Sequence, residues 1–276
     1  MALSVSNNSA ALIALQNLNA TNDQLAAVQG RISTGLKVAS AKDDASIWSI
    51  AQGQRADIGA LGSVKNSLDR ASSIAQVSLT AGGSVSDLLV QLKEKVVAAM
   101  DPSLDPTSRS SLNADYQSLL RQITQVVGSA TFDGANILDG SMPTDARFLA
   151  NADGTGFITL STKDMSLGGS IITLASTSTI GTVTSATAVM TALTTSLNNV
   201  DQALGDIGSQ AKQIDAHNTF ISKLSDVLDT GVGNLVDADM ATESAKLQAL
   251  QVQQQLGTQA LSIANTGPQV ILSLFK

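Results

Sequence analysis

The stretch "LTTSLNNVDQALGDIGSQAKQIDAHNTFISKLSDVLDTGVGNL" (193–235) decides the fold. Its seam residues are Leu193, Leu197, Val200, Leu204, Ile207, Ala211, Ile214, Asn218, Ile221, Ser225, Leu228, Val232 and Leu235. The steps between them alternate four and three. That alternation keeps one face of a 3.6-residue-per-turn helix against a partner, so the spacing predicts supercoiled helices. A second run with the same steps begins at Leu61: Val64, Leu68, Ala71 and Ala75 follow, then Val85, Leu89, Leu92 and Val96, with Ser78 and Gly82 filling the seam in phase. A third reads Leu112, Tyr116, Leu119, Ile123, Val126.

The four prolines stand at Pro102, Pro106, Pro143 and Pro268, so two long spans lack the strongest helix breaker. "MDPSLDPTSRS" (100–110) marks a turn between the second and third runs, and "TFDGANILDGS" (131–141) a Gly- and Asn-containing loop that ends the third. In "RFLANADGTGFITLSTKDMSLGGSIITL" (147–174) turn signals at Asp153-Gly154 and Gly168-Gly169 flank short β-type segments, which predicts a small hairpin region. The fold class is mainly α: a long antiparallel helical coiled-coil bundle, a small β-hairpin region in its middle, and terminal helices that form a coiled coil of their own.

The two ends are apolar beyond what one partner helix covers. The N-terminal stretch has a seam at Leu15, Leu18, Asn22, Leu25 and Ile32. The C-terminal stretch has two, one at Ala249, Val252, Leu256, Ala260 and Ile263 and one at Leu247, Leu250 and Leu261. Two seams on one helix mean a wide apolar face. The last residues, "GPQVILSLFK" (267–276), add Val270, Ile271, Leu272, Leu274 and Phe275. Covering such a surface is favourable by roughly 25 cal/mol per Å². Either an ordinary two-helix packing within one subunit or a face shared by several copies accounts for it.

Among the 276 residues the formal net charge is -7, which suits neither phosphate backbones nor anionic membrane surfaces. No partner of either kind, nucleic acid or membrane, is expected. Aromatics make up 3% against 43% hydrophobic residues, so the apolar content is aliphatic and fits helix packing better than an aromatic-lined ligand pocket. There is no cysteine, hence no disulfide framework or thiol chemistry. The first basic residue is Arg31, which does not match a secretory leader, and no apolar run is long enough to span a bilayer.

"RISTGLKVASAKDDASIWSIAQGQRADI" (31–58) strongly resembles the signature of the bacterial flagellins, an Arg-Ile-Ser-Ser/Thr-Gly stretch that leads into Ser-Ala-Lys-Asp-Asp and a long helix. "FDGANILDG" (132–140) resembles the family's Phe-Asn/Asp-Gly loop, and residues 237–276 resemble its C-terminus, with the Pro-Gln-x-Val ending. The short length and the "ALIALQNLNATN" start resemble the alphaproteobacterial, Caulobacter-like type. The resemblance implies a structural subunit that polymerises into the flagellar filament for swimming motility and works outside the cell. Alternatives left open are a hook–filament junction protein and a coiled-coil surface adhesin.

It further implies an N-terminal core-helix segment over 1–40, rod helices over 41–140, a small β region over 141–180, a C-terminal rod helix over 181–235 and a C-terminal core helix over 236–276. No separate outer domains are expected. The implied partners are further copies of the chain, paralogous flagellins among them, the flagellar type III export apparatus and an export chaperone, and the hook-associated and cap proteins. Residues expected at the self-assembly interface are Leu15, Leu18, Leu25, Ile32, Leu247, Leu250, Val252, Leu256, Leu261, Ile263, Val270, Ile271, Leu274 and Phe275. Flagellins of this type carry O-linked nonulosonic sugars, and nearly half of residues 155–196 are Ser or Thr. Candidate acceptors are Thr155, Ser161, Thr162, Ser170, Ser176, Thr177 and Thr179.

No catalytic constellation, cofactor or metal site is expected. One histidine, His217, without cysteine makes zinc a poor fit, and it reads as a structural residue beside the seam. Lys42-Asp43-Asp44 reads as a helix cap with favourable charge, not as an acid–base pair. "GGSVSD" (82–87) lacks the Gly-Lys-Ser/Thr ending of a phosphate loop and lies inside a heptad run. Asp153 and Asp164 do not have EF-hand spacing.

Overall fold

The computed structural model describes residues 8–273, and their side chains as far as Thr266. In chain order the elements are α1 (Ser9–Thr34), α2 (Ala45–Ala99), α3 (Pro106–Ser129), β1 (Ala146–Leu149), β2 (Phe157–Leu160), α4 (Val183–Val236) and α5 (Met240–Ser273). Two compact units result, one over Asp57–Asp226 and one over residues 8–56 with 227–273. The mainly helical bundle with one small hairpin matches the heptad reading.

In the Asp57–Asp226 unit, every seam position of α2 from Leu61 to Val96 is buried, Ser78 and Gly82 included. On α4 the residues seven apart, Leu193, Val200, Ile207, Ile214 and Ile221, are buried, while Leu197, Leu204, Ala211 and Asn218 are half-buried edges of the seam. Antiparallel registry of α2 and α4 follows from Asp69 accepting from Asn218 (2.6 Å), Ser72 donating to Asp215 (3.0 Å) and Ser86 donating to Asp201 (3.4 Å). Gly82 is a packing requirement of that contact, since a Cβ there would lie 2.5 Å from Leu204 Cδ2. On α3 the seam departs from strict heptads: Val127 is buried and Val126 only half-buried. A short straight helix drifts about 20° per heptad from a 3.5 repeat, which moves the last contact on by one residue.

Caps end these helices as the sequence suggests. Asp105 accepts from the Thr107 and Ser108 amides (2.8 and 3.1 Å), with Pro106 at the first helical position of α3. Asp44 accepts from the Ser46 and Ile47 amides (both 3.0 Å) and opens α2, while Asp43 closes the preceding turn on Ala39 and Ser40 (3.1 and 2.9 Å). After α3, buried Asn136 donates to the Val127 carbonyl (2.8 Å) and accepts from the Leu138 amide (2.9 Å), so one side chain satisfies the helix end and the loop.

β1 and β2 pair antiparallel, Ala146 opposite Leu160 and Leu149 opposite Phe157, around the Asp153-Gly154 turn. Ala146, Phe148, Ile158 and Leu160 face inward. The turn at Gly168-Gly169 leads to no strand. Ile172 and Leu174 are buried, but the Thr173 amide donates to Ser196 Oγ (3.0 Å) on α4, so a side chain takes the place of a ladder partner. His217 Nε2 donates to the Ala150 carbonyl (2.7 Å) and ties α4 to the end of β1, a structural role as expected.

Candidate self-assembly interface

The other unit is built on α1 and α5, which run antiparallel. Asn8 donates to the Ala264 carbonyl (2.8 Å), Leu18 lies against Gly257, Gln254 donates to Asn22 (2.7 Å), and Arg31 reaches Glu243 (3.6 Å). The α1 residues turned toward α5 are Ala11, Ala14, Leu18, Thr21, Leu25, Val28 and Ile32; those of α5 are Leu247, Leu250, Gln254, Gly257, Leu261 and Ala264. Both sets step by three and four, so this is a heptad seam. Its buried centre is only Leu25, Val28 and Leu250, with Ile32 and Leu247 packed beside it.

Leu15, expected in this seam, lies outside it and is exposed, as are Leu12 and Ile13. The physical reason is spacing: the seam is carried by small Ala11 and Ala14, which propensity reading passes over in favour of the larger Leu15. On α5 the second stripe is likewise uncovered. Val252, Leu256 and Ile263 are 55%, 63% and 64% exposed, whereas Leu250 on the same helix is 8% exposed. At about 100° per residue the exposed stripe is centred some 140° around the helix from the α1-facing seam. Of the expected interface residues, Leu18, Leu25, Ile32, Leu247, Leu250 and Leu261 therefore meet within the chain, and Leu15, Val252, Leu256 and Ile263 do not. Val270, Ile271, Leu274 and Phe275 lie outside the residues whose side chains are described.

Gly35 ends α1 at φ 72, a left-handed conformation that glycine adopts without a Cβ penalty. From there the chain bonds back to the end of α4: the Lys37 amide donates to the Val236 carbonyl (2.7 Å) and the Ala238 amide to the Gly35 carbonyl (2.8 Å). Asp239 then opens α5 by accepting from the Ala241 and Thr242 amides (3.0 and 3.3 Å). The Thr242 hydroxyl and amide and the Ala241 amide hold its carboxyl below the ordinary value of 3.8, because each bond favours the charged form. Glu243 is buried one turn on, with Lys246 at 2.8 Å and Arg31 at 3.6 Å on Oε1. Its Oε2 has no hydrogen-bond partner among the described residues.

Sequence reading missed Glu243. The signal was there: Glu243, Leu247 and Leu250 share the seam spacing, which puts a carboxylate in a buried row beside Arg31. Of the hydroxyl candidates, Thr155, Ser170, Ser176, Thr177 and Thr179 are exposed. Ser161 and Thr162 are half-buried; the Ser161 hydroxyl accepts from Gln210 (3.0 Å) and the Thr162 hydroxyl donates to Asp145 (3.4 Å). No group of three or more His, Cys, Asp or Glu side chains able to hold a metal ion occurs among the described residues. No described helix is long and apolar enough to cross a membrane.

This architecture, two end helices paired with an uncovered apolar stripe and a heptad rod between them, is that of a self-associating rod protein. Comparison with known proteins makes the class specific. The bacterial flagellin N-terminal helical region matches residues 5–142, and the bacterial flagellin C-terminal helical region matches residues 190–275. The chain is 57% identical to flagellin FljJ of Caulobacter vibrioides over 280 residues, covering 100% of this chain and 99% of that one. It is 38% identical to a flagellin of Brucella melitensis, with 99% of each chain covered. The chain belongs to the bacterial flagellin family, and it is a structural subunit of the flagellar filament.

Two solved structures share the fold. The crystal structure of Bacillus cereus flagellin aligns with a TM-score of 0.50 at 22% identity, covering 56% of this chain and 88% of that one. A Vibrio parahaemolyticus protein assigned as flagellar hook-associated aligns with a TM-score of 0.60 at 14% identity, covering 71% of this chain and 100% of that one.

Proposed function

We propose that the chain enters the filament through its α1/α5 pair, which closes on itself along the Leu25–Val28–Leu250 seam and offers the Val252–Leu256–Ile263 stripe, with Leu12, Ile13 and Leu15, to neighbouring copies. The observation that carries this reading is the contrast on α5 between a covered seam and an uncovered apolar one. Fully covering a residue such as Leu256 contributes about 1.5–3 kcal/mol. Three buried centres over two long helices are a thin core, so neighbours supply much of what orders the pair. Residues 1–40 and 236–276 thus form the core segments, 41–140 and 181–235 the rod, and 141–180 a small β region, without separate outer domains.

The chain performs no catalysis of its own. It leaves the cell by the flagellar type III route with an export chaperone and works outside the cell, in contact with hook-associated and cap proteins at the filament ends. The exposed hydroxyls of Ser170, Ser176, Thr177 and Thr179 make no hydrogen bond among the described residues and are the best placed sugar acceptors. The test of assembly is Leu256→Asp. Purified monomer carrying it is expected to keep its rod helicity by circular dichroism and to fail to sediment as filaments on seeds that the parent chain extends. Normal filaments from Leu256→Asp would overturn the reading.

A further inference from the structure

The α1/α5 pair carries four charged side chains over residues 9–34 and 240–273: Asp23 and Arg31 on α1, Glu243 and Lys246 on α5. They are balanced in number but not in place. Arg31 and Lys246 both hold the buried Glu243 carboxylate, at 3.6 and 2.8 Å, so two cations share one anion and the cluster carries a net charge of +1. Asp23 is exposed and forms no ion pair among the described residues. It lies eight residues from Arg31 on the same helix, about 12 Å away at 1.5 Å per residue, too far to reach the cluster in its own chain.

A groove of about 410 Å³ runs beside the cluster. Ala27, Val28, Ala249 and Leu250 line it apolarly, and Arg31 and Lys246 supply its charge. On the outside of α1, Asp23 is flanked one turn either way by exposed Ala20 and Ala26, small enough to let a helix approach closely.

We propose that this groove receives the α1 helix of a second copy, with the neighbour's Asp23 seated on Arg31 and Lys246. This deepens, and rests on, the assembly reading above. A copy displaced along the helix axis brings the lone negative charge of one pair onto the surplus positive charge of the next, and each copy both gives and takes one such contact. Because Glu243 already holds the two cations at a nearly dry position, the added pair works in a lower effective dielectric than an open surface pair. It also fixes the axial offset between copies, which an apolar stripe alone leaves loose.

The experiment is the critical concentration for growth of full-length monomer on filament seeds, read by sedimentation. Asp23 touches no charged group in its own chain, so Asp23→Lys is expected to leave the circular dichroism of the monomer unchanged and to raise the critical concentration at least about tenfold, the measure of a lost ion pair facing like charge. Asp23→Glu is expected to stay within about threefold of the parent chain. Lys246→Ala raises the concentration, and Asp23→Ala added to it raises it no further, because the two residues act as one pair. Assembly of Asp23→Lys at the parent concentration, or multiplicative effects in the double variant, would overturn the proposal. Failure of Leu256→Asp to assemble alongside normal Asp23→Lys filaments removes the charge pairing alone, whereas normal Leu256→Asp filaments remove the assembly reading itself.

Discussion

The guanidinium of Arg109, on α3, donates a hydrogen bond to the main-chain carbonyl of Ala99, the last residue of α2. It also donates to the carbonyls of Asp101 (2.8 Å) and Leu104 (3.4 Å), so one buried side chain satisfies the turn that the two prolines open. Arg109→Met keeps the bulk and removes the donors. The Asp57–Asp226 unit is expected to lose about 2–3 kcal/mol, the cost of leaving buried acceptors unpaired. Chemical unfolding followed by the near-ultraviolet signal of Tyr116, the sole tyrosine and fully buried in that unit, measures it. An unchanged midpoint would show that water replaces the guanidinium without loss.

Gly82 and Leu204 give a second test. Gly82→Val forces the half-buried Leu204 side chain from its place, an overpacking cost of about 1–3 kcal/mol. Leu204→Ala alone opens a void, yet the double variant is expected to recover most of the Gly82→Val loss, since each change relieves the other. Additive losses in thermal unfolding would mean that the two helices approach differently at this level.

Acid sensitivity follows from the caps. The side-chain hydroxyl of Ser108, then the Ser108 and Thr107 amides, hold the Asp105 carboxyl below 3.8, and Thr242 and Ala241 do the same for Asp239. A carboxyl with a lower value folded than unfolded binds fewer protons in the folded chain. Its stabilisation is complete above the ordinary carboxyl range and is lost as pH falls through 3.8 toward the folded value. Asn caps a helix about as well as Asp but does not titrate. Asp105→Asn with Asp239→Asn is therefore expected to shrink the drop in melting temperature between about pH 5 and pH 3, and an undiminished drop would place the acid-labile groups elsewhere.

Modification is expected to follow exposure. Mass spectrometry of peptides from native filaments should find sugar on some of Ser170, Ser176, Thr177 and Thr179, whose hydroxyls are exposed and free of hydrogen bonds, before Ser161 or Thr162, which Gln210 and Asp145 engage. Unmodified peptides across 155–196 would reject the assignment.

The rod was legible because its seams are long and aliphatic: each position from Leu61 to Val96 on α2 and the seven-residue row from Leu193 to Ile221 are buried as the spacing says. The two stripes of α5 were legible for the same reason, but not which of them α1 covers. That choice turns on Ala11 and Ala14, whose single methyl groups carry little hydropathy signal yet permit close approach. Arg109 and Glu243 were not legible, since a charged residue at a seam position reads as solvated until its partners, Ala99 and Arg31, are known to be near. The segment 171–174 reads as a strand by composition, and only the distant Ser196 hydroxyl explains why it pairs with no other strand.

The most direct test of the assembly face is a helical reconstruction of native filaments at side-chain resolution. The result expected is that Val252, Leu256 and Ile263, largely exposed in the single chain, are covered by neighbouring copies while the Leu25–Val28–Leu250 centre stays within one subunit. Filaments in which Leu256 faces solvent, or in which Leu250 pairs across subunits instead of with α1 of its own chain, would contradict it.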